Sequence, residues 1–254
     1  MKNLELIALE GIPLIEPGDD IVEIIFTSLE ENKFLLRNDD ILVIAQKIIS
    51  KSENRYAYLN KIIPSVTASR LSKETDKDPK LIQLILDEST KVVRHRKGVI
   101  VVEHKLGFVH ANAGIDRSNI ESNKRNPRVL LLPKEPDLSA LKIKEQILRI
   151  SNLNIGIIIN DSSGRAWRNG IVGIAIGSSG VDVLLDLKGL KDLYGNSLEV
   201  TEVGNADEIA SAASLLMGQA NESFPVVVVR GFSKSNDKRN AKALLRDPSE
   251  DLFR

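Results

Sequence analysis

Two kinds of apolar pattern alternate along the chain. Short runs rich in Ile, Val and Leu predict strands at 4–9, Ile41–Ala45, 99–103, 106–111, 129–132, 157–159, 171–176, 198–203 and 226–229. Apolar residues recurring every three or four positions predict helices. Ile21, Ile24, Ile25 and Leu29 follow Pro17-Gly18-Asp19-Asp20, with Asp20 and Glu23 spaced as a capping box. Residues 65–93 read as two helical pieces, the second opened by Asp78 as N-cap and Pro79 at the first helical position, with Leu81, Ile82, Ile85 and Leu86 on its apolar face. Asp137 is placed to cap a helix that turns Leu138, Leu141, Ile147 and Leu148 to one side. Asn205–Met217 reads as a helix of small residues with Ile209, Ala213 and Leu216 facing inward, closed by Gly218.

The order strand, helix, strand over 129–159 suggests an α/β layer, and 99–111 a hairpin with His104 at its tip. A chain of 254 residues with 42% hydrophobic content is long enough to bury a substantial core. Lys and Arg total 35, as do Asp and Glu, so the net charge is zero and a broad attraction to nucleic acid or anionic membrane is excluded. Any basic site has to be local. The absence of cysteine removes disulfides, thiolate metal sites and a cysteine nucleophile, in keeping with a cytoplasmic protein. The first residues do not read as a signal peptide, and no apolar run reaches the roughly 20 residues that a membrane span needs. A charged tail, 233–254, is expected to be peripheral to a domain covering 1–232.

Three polar segments compete for the chemistry: 112–119, 160–170 and 217–222. In the second, the strand 157–159 gives way to Asn160-Asp161-Ser162-Ser163-Gly164, followed by Arg165, Trp167 and Arg168, a combination suited to a cation and a phosphate. Asp116 and Asp161 read either as Mg²⁺ or Mn²⁺ ligands or as turn residues. Lys47 and Lys51 are phosphate partners or solvated surface charges. Arg165 and Arg168 are bidentate anchors for an anionic substrate or members of ordinary ion pairs. His95, His104 and His110 show no paired metal spacing and receive no role.

Taken together, Gly11-Ile12-Pro13, Ile49-Ser50-Lys51, the block Asn112-Ala113-Gly114-Ile115-Asp116-Arg117-Ser118-Asn119, Asp161 with Gly164-Arg165 and Trp167-Arg168, Asp192-Leu193-Tyr194-Gly195, Leu216-Met217-Gly218 and Val229-Arg230-Gly231 resemble the coenzyme F420-0:L-glutamate ligase family, also called F420-0 gamma-glutamyl ligase. The resemblance implies an α+β fold of two intimately associated subdomains with mixed sheets, distinct from P-loop and ATP-grasp folds, that pairs into a homodimer. It also implies a GTP-dependent ligase that joins L-glutamate to coenzyme F420-0 through an acyl phosphate, using two divalent ions, Mg²⁺ or Mn²⁺, and K⁺. The chain indeed lacks the Gly-x-x-x-x-Gly-Lys-Ser/Thr motif.

By the same resemblance the nucleotide contacts fall on Gly11, Ile12, Pro13, Leu14, Gln46, Lys47, Lys51 and Asn119, and on the loop residues Met217, Gly218, Gln219, Ala220, Asn221 and Glu222. The implied metal ligands are Asp116, Asp161, Ser162 and Gln219; the catalytic set is Asp116, Asp161 and Lys51, with Arg165 and Arg168 toward the substrate. Asn160-Asp161-Ser162 stands where relatives commonly carry Thr-Asp-Thr, and serine keeps the hydroxyl. A non-catalytic nucleotide-binding protein and a ligase with a different carboxylate acceptor remain open alternatives.

Overall fold

Ile41, Leu42, Val43 and Ile44 have no exposed surface, which consecutive strand residues achieve only when both faces of their sheet are covered. The computed structural model describes residues 3–122, 125–232 and 239–253. The chain begins β1 (Glu5–Ala8), α1 (Ile21–Glu31), β2 (Ile41–Ala45), α2 (Gln46–Ser52), β3 (Tyr56–Tyr58), α3 (Val66–Thr75) and α4 (Pro79–Asp87). It continues through β4 (Ser89–Arg96), β5 (Val99–His104), β6 (Val109–Ala111), β7 (Arg128–Leu130) and α5 (Pro136–Ser151). The last part is β8 (Gly156–Arg165), β9 (Arg168–Ser179), β10 (Leu185–Asp186), β11 (Glu202–Val203), α6 (Asn205–Met217) and β12 (Val226–Arg230).

The central sheet has the order β1-β12-β2-β8-β9. Only β2 and β8 run parallel; the other pairs in this sheet are antiparallel. The period-2 alternation divides its side chains between two cores. Leu42, Ile44, Ile157, Ile159, Val226 and Val228 meet Val22, Ile25 and Leu29 of α1 and Ala140, Ile143 and Ile147 of α5. Ile41, Val43, Ile158, Val227 and Val229 meet Ala206, Ile209, Ala210 and Ala213 of α6 on the other face. A third cluster joins Leu71, Leu81, Ile82 and Ile85 of α3 and α4 to Ile100 and Val102 of β5 and Val129 of β7. The result is a mixed α+β architecture with a five-stranded central sheet, a β4-β5-β6 sheet and two short ribbons.

The small residues of α6 have a steric cause. A Cβ added at Gly173 of β9 would stand 2.2 Å from Ser214 Oγ and 2.5 Å from the Ala210 carbonyl, so helix and strand approach at backbone distance. At the other end of the chain, Asp20 caps α1 as its spacing predicts, accepting from Val22 N and Glu23 N at 2.9 and 3.2 Å.

Several expectations are corrected. The helical reading of 65–93 runs too far: Ser89–Arg96 is strand β4, paired with β5. In α5 the buried face is Ala140, Ile143 and Ile147, while Leu138, Leu141 and Leu148 are exposed, and Asp137 lies in the first turn rather than at the cap. Leu216 of α6 is likewise exposed, and Met217 takes the inward position. Residues 177–179 extend β9 instead of turning, and the strand read at 198–203 shrinks to Glu202–Val203. The described part of the tail is not wholly peripheral. Ala241 is buried, its N–H donates to Asp137 Oδ1, and Leu244 packs on the α6 side of the sheet. Among the described residues no helix is long and apolar enough to cross a membrane.

Candidate functional site

Because β2 and β8 are parallel neighbours with Ala45 opposite Asn160, the end of β2 lies beside the point where β8 leaves this pairing. Crevices outside such ends are favoured ligand sites in sheets of this kind, since the strands fix the residues while the ends stay reachable. Here they open into a cleft of about 1180 Å³. Its walls come from 12–16, from α2, from Tyr56 and Arg128, from 110–121, from β8 with Ile171, and from 217–225.

The strand that carries Asp161 does not end at Ile159. β8 continues through the polar residues to Arg165 and forms an antiparallel arm with β9, the register shifting after Ile159 and again after Gly164. Asp161 and Ser162 therefore sit on strand backbone, not in a loop. Ser162 Oγ donates to Gln219 Oε1 at 2.9 Å, tying the arm to the loop that follows α6. That loop is internally braced: Glu222 Oε2 accepts from Ala220 N at 2.7 Å, and Asn119 Nδ2 donates to the Ala220 carbonyl at 2.7 Å.

Asp116 is fixed by backbone and side chain alike. It exchanges hydrogen bonds of 2.8 and 3.0 Å with Leu130 of β7, and its Oδ1 accepts from Ser118 Oγ at 2.9 Å. Lys47 Nζ lies 3.0 Å from Asp116 Oδ2 and donates to Ser118 Oγ at 3.0 Å. Gln46, from the same turn of α2, is buried and its Oε1 accepts from Ser50 Oγ at 2.9 Å, so its amide acts as a wall rather than a free arm. Lys51, one turn on, is half-buried; burial lowers its pKa and the neighbouring Lys47 lowers it further.

His110 carries no sequence signal of a role, yet its Nε2 lies 3.2 Å from Asp161 Oδ2, and the two side chains are 8% and 11% exposed. His110 Nδ1 donates to the Ala111 carbonyl at 2.9 Å. Burial pulls the imidazole pKa down, but the Asp161 carboxylate and the Ala111 carbonyl outweigh it, so the net shift is upward. A lone histidine in β6 carries no spacing signal; only the packing of that strand, from the β4-β5-β6 sheet, against β8 brings it to Asp161. His104, expected at an exposed hairpin tip, is instead buried, accepting from Leu106 N at 3.0 Å and stacked on Phe108.

The cleft gathers Ile12, Pro13, Leu14, Gln46, Lys47, Lys51, Asp116, Asn119, Asp161, Ser162 and residues 217–222. Gly11 stands just behind the wall, its φ of +79° turning the chain into 12–16. Arg165 and Arg168 are outside the lining: both are exposed on the β8–β9 arm, paired with each other beside the tip residue Trp167.

The donor set suits a hard cation. Asn112 Oδ1 is a buried acceptor without a hydrogen-bond donor, and Asp161 Oδ2 is buried with only the His110 imidazole beside it, a shortage that a bound cation relieves. Among the described residues no three His, Asp or Glu side chains form a ready cage, so a cation has to combine carboxylates with amide and hydroxyl oxygens and with ligand oxygens. Asp116 has a competitor already in place, because a cation there has to displace Lys47 from Oδ2.

Half-buried lysines and buried acceptor oxygens line one cleft, a chemistry suited to small anionic molecules. The comparison with known proteins is more specific: the F420-0:Gamma-glutamyl ligase family model matches residues 11–231, and the chain belongs to that family. It is 43% identical to the coenzyme F420:L-glutamate ligase of Methanothermobacter thermautotrophicus over 99% of both chains. Identity is 44% to the protein of the same name from Methanocaldococcus jannaschii, over 100% of this chain and 98% of that one. With its Archaeoglobus fulgidus counterpart it is 39%, over 99% and 97%.

Proposed function

We propose that the chain is a GTP- and divalent-metal-dependent amide ligase that adds L-glutamate to coenzyme F420-0. The observation that carries this reading is the convergence of Asp116, Asp161, Ser162 and Gln219 with Lys47 and Lys51 on one cleft, in a chain aligned end to end with proteins named for that reaction. In the proposed sequence a substrate carboxylate oxygen attacks the γ-phosphorus of GTP, and the bond to GDP breaks. The glutamate nitrogen then attacks the acyl carbon, loses a proton, and displaces phosphate.

Asp116, Asp161, Ser162 and Gln219 would hold two Mg²⁺ or Mn²⁺ ions, with K⁺ as a further cation. Such ions neutralise phosphate oxygens and favour phosphoryl transfer. Lys51 neutralises a phosphate from its half-buried place, where a charge is poorly screened and acts strongly. Lys47 exchanges Asp116 for phosphate oxygen when the cleft fills. Residues 11–14 and 217–222, with Gln46 and Asn119, flank the nucleotide and limit the access of water. Arg165 and Arg168 can reach only a substrate that extends past the cleft along the β8–β9 arm. A homodimer completes the proposal.

The test is to incubate the protein with GTP, Mg²⁺ or Mn²⁺, L-glutamate and F420-0, following glutamyl addition by mass and phosphate release. Stoichiometric GDP and a mass gain of glutamyl units are expected. Nucleotide hydrolysis with another carboxylate alone would redirect the substrate, and no turnover with any acceptor would end the enzyme reading.

A further inference from the structure

One wall of the cleft is used neither by the family resemblance nor by the roles above. β3 and β7 pair with Tyr56 opposite Leu130 and Tyr58 opposite Arg128, which makes Tyr56 and Arg128 diagonal neighbours on one face. The guanidinium carbon of Arg128 lies 4.1 Å from the centroid of the Tyr56 ring, and both residues line the cleft. Leu130, which holds Asp116 by two backbone hydrogen bonds, is two residues along the same strand. Two strand residues span about 7 Å. The backbone of Arg128 therefore stands about that far from the residue that fixes Asp116, and the Arg128 and Asp116 side chains line the same cleft.

Arg128 is held but poorly neutralised. Its Nε donates to the Glu121 carbonyl, and its Nη2 lies 3.4 Å from Glu121 Oε2. The Arg128 side chain is 17% exposed, while that of Glu121 is 91% exposed, so the partner charge is dispersed in solvent. A guanidinium carries five N–H donors, more than these contacts use. Lys51 faces the same region and feels Arg128 as a like charge. Two cations lining one cleft, one of them stacked on an aromatic face and fixed by a carbonyl, make a pre-formed fork for a carboxylate or phosphate.

We propose that Arg128, stacked on Tyr56 and flanked by Lys51, is an oxyanion subsite that receives a carboxylate or phosphate of a substrate and orients it relative to Asp116. The choice of test ligands rests on the ligase reading: the oxyanion comes from the amino acid, from the deazaflavin precursor or from the nucleotide.

The experiment measures KM separately for L-glutamate, F420-0 and GTP, with kcat, in wild type, Arg128→Gln, Arg128→Lys and Tyr56→Leu. Calorimetric titration with L-glutamate, F420-0 and Mn²⁺-GDP, together with thermal midpoints, accompanies it. Arg128→Gln should raise KM and the dissociation constant for one of the three ligands at least tenfold, leaving the others within about twofold. That ligand identifies the source of the oxyanion. Arg128→Lys should recover only part of the loss because an ammonium lacks the fork, and Tyr56→Leu should show a smaller rise for the same ligand. Unchanged constants overturn the subsite. A rise in all three with a fallen midpoint also overturns it, since Arg128 would then merely anchor the segment at Glu121. If wild type binds the ligands without forming product, the ligase reading fails while the calorimetric comparison still decides the subsite. Wild-type protein that binds none of them overturns both.

Discussion

Asp161 keeps one carboxylate oxygen buried, with the His110 imidazole as its polar neighbour at 3.2 Å. Under the proposed chemistry Asp161→Asn should cut kcat by about 10²-fold or more, with an unchanged circular dichroism spectrum and near-native thermal midpoint. Loss of activity together with unfolding would show that the carboxylate serves the fold instead. His110 acts on the same oxygen from behind, so His110→Gln should raise the Mn²⁺ concentration giving half-maximal rate by about 10–100-fold. His104 allows a separate test. Burial lowers its pKa to about 4, and the positive neighbours His110, Arg55 and Lys105 add to the effect. The unfolded chain therefore binds this proton first. The contribution to stability is full above pH 6.5 and is lost as pH falls toward 4, on the order of 3 kcal/mol. Denaturant titrations across that window should slope for wild type and flatten for His104→Asn, whose oxygen can still accept from Leu106 N. Asp116, Asp161 and Lys51 were legible in the sequence because they sit in a recognisable order. His110 and Arg128 were not, because the packing of the β4-β5-β6 sheet on β8 and the pairing of β7 with β3, rather than spacing, make them neighbours of the cleft.

At the level of elements, propensity was most informative where a local bond enforces it. Asp20 both caps α1 and accepts from Gln146 Nε2 of α5 at 2.7 Å. Burial opposes its charge, but the bonds from Gln146, Glu23 and Val22 win, and its pKa is lowered. Asp20→Ala should cost about 1 kcal/mol, seen as a drop of about 2–4 °C in thermal midpoint, with kcat retained. The extension of β8 was hidden for the opposite reason. Asn160-Asp161-Ser162-Ser163-Gly164-Arg165 has neither apolar alternation nor β-branched residues, and reads as a loop. Its pairing with β9 supplies the extended geometry, an instance of strand preference set by partners more than by composition. The same override makes β4 of Ser89–Arg96: its ladder with β5 outweighs a helical continuation from α4.

The whole molecule brings to one cleft segments separated by most of the chain, from residue 12 to residue 225. A ligand spanning them should tie those segments together, so Mn²⁺ with GDP at about 100 times its dissociation constant should add roughly 2.7 kcal/mol. That corresponds to about 5–10 °C in thermal midpoint; a chelator should abolish the gain, and an equal shift from GDP alone would argue against a metal-linked nucleotide. The sheet order also has a consequence for synthesis. β1 is made first but pairs only with β12, which is made last among the sheet strands and enters between β1 and β2. While the chain emerges from the ribosome, the backbone of the first strand stays without its sheet partner until residues 226–230 arrive. A chain ended at residue 225 should therefore remain open to protease at its N-terminus, whereas the full chain closes it. In birth order, the last strand to arrive fastens the beginning.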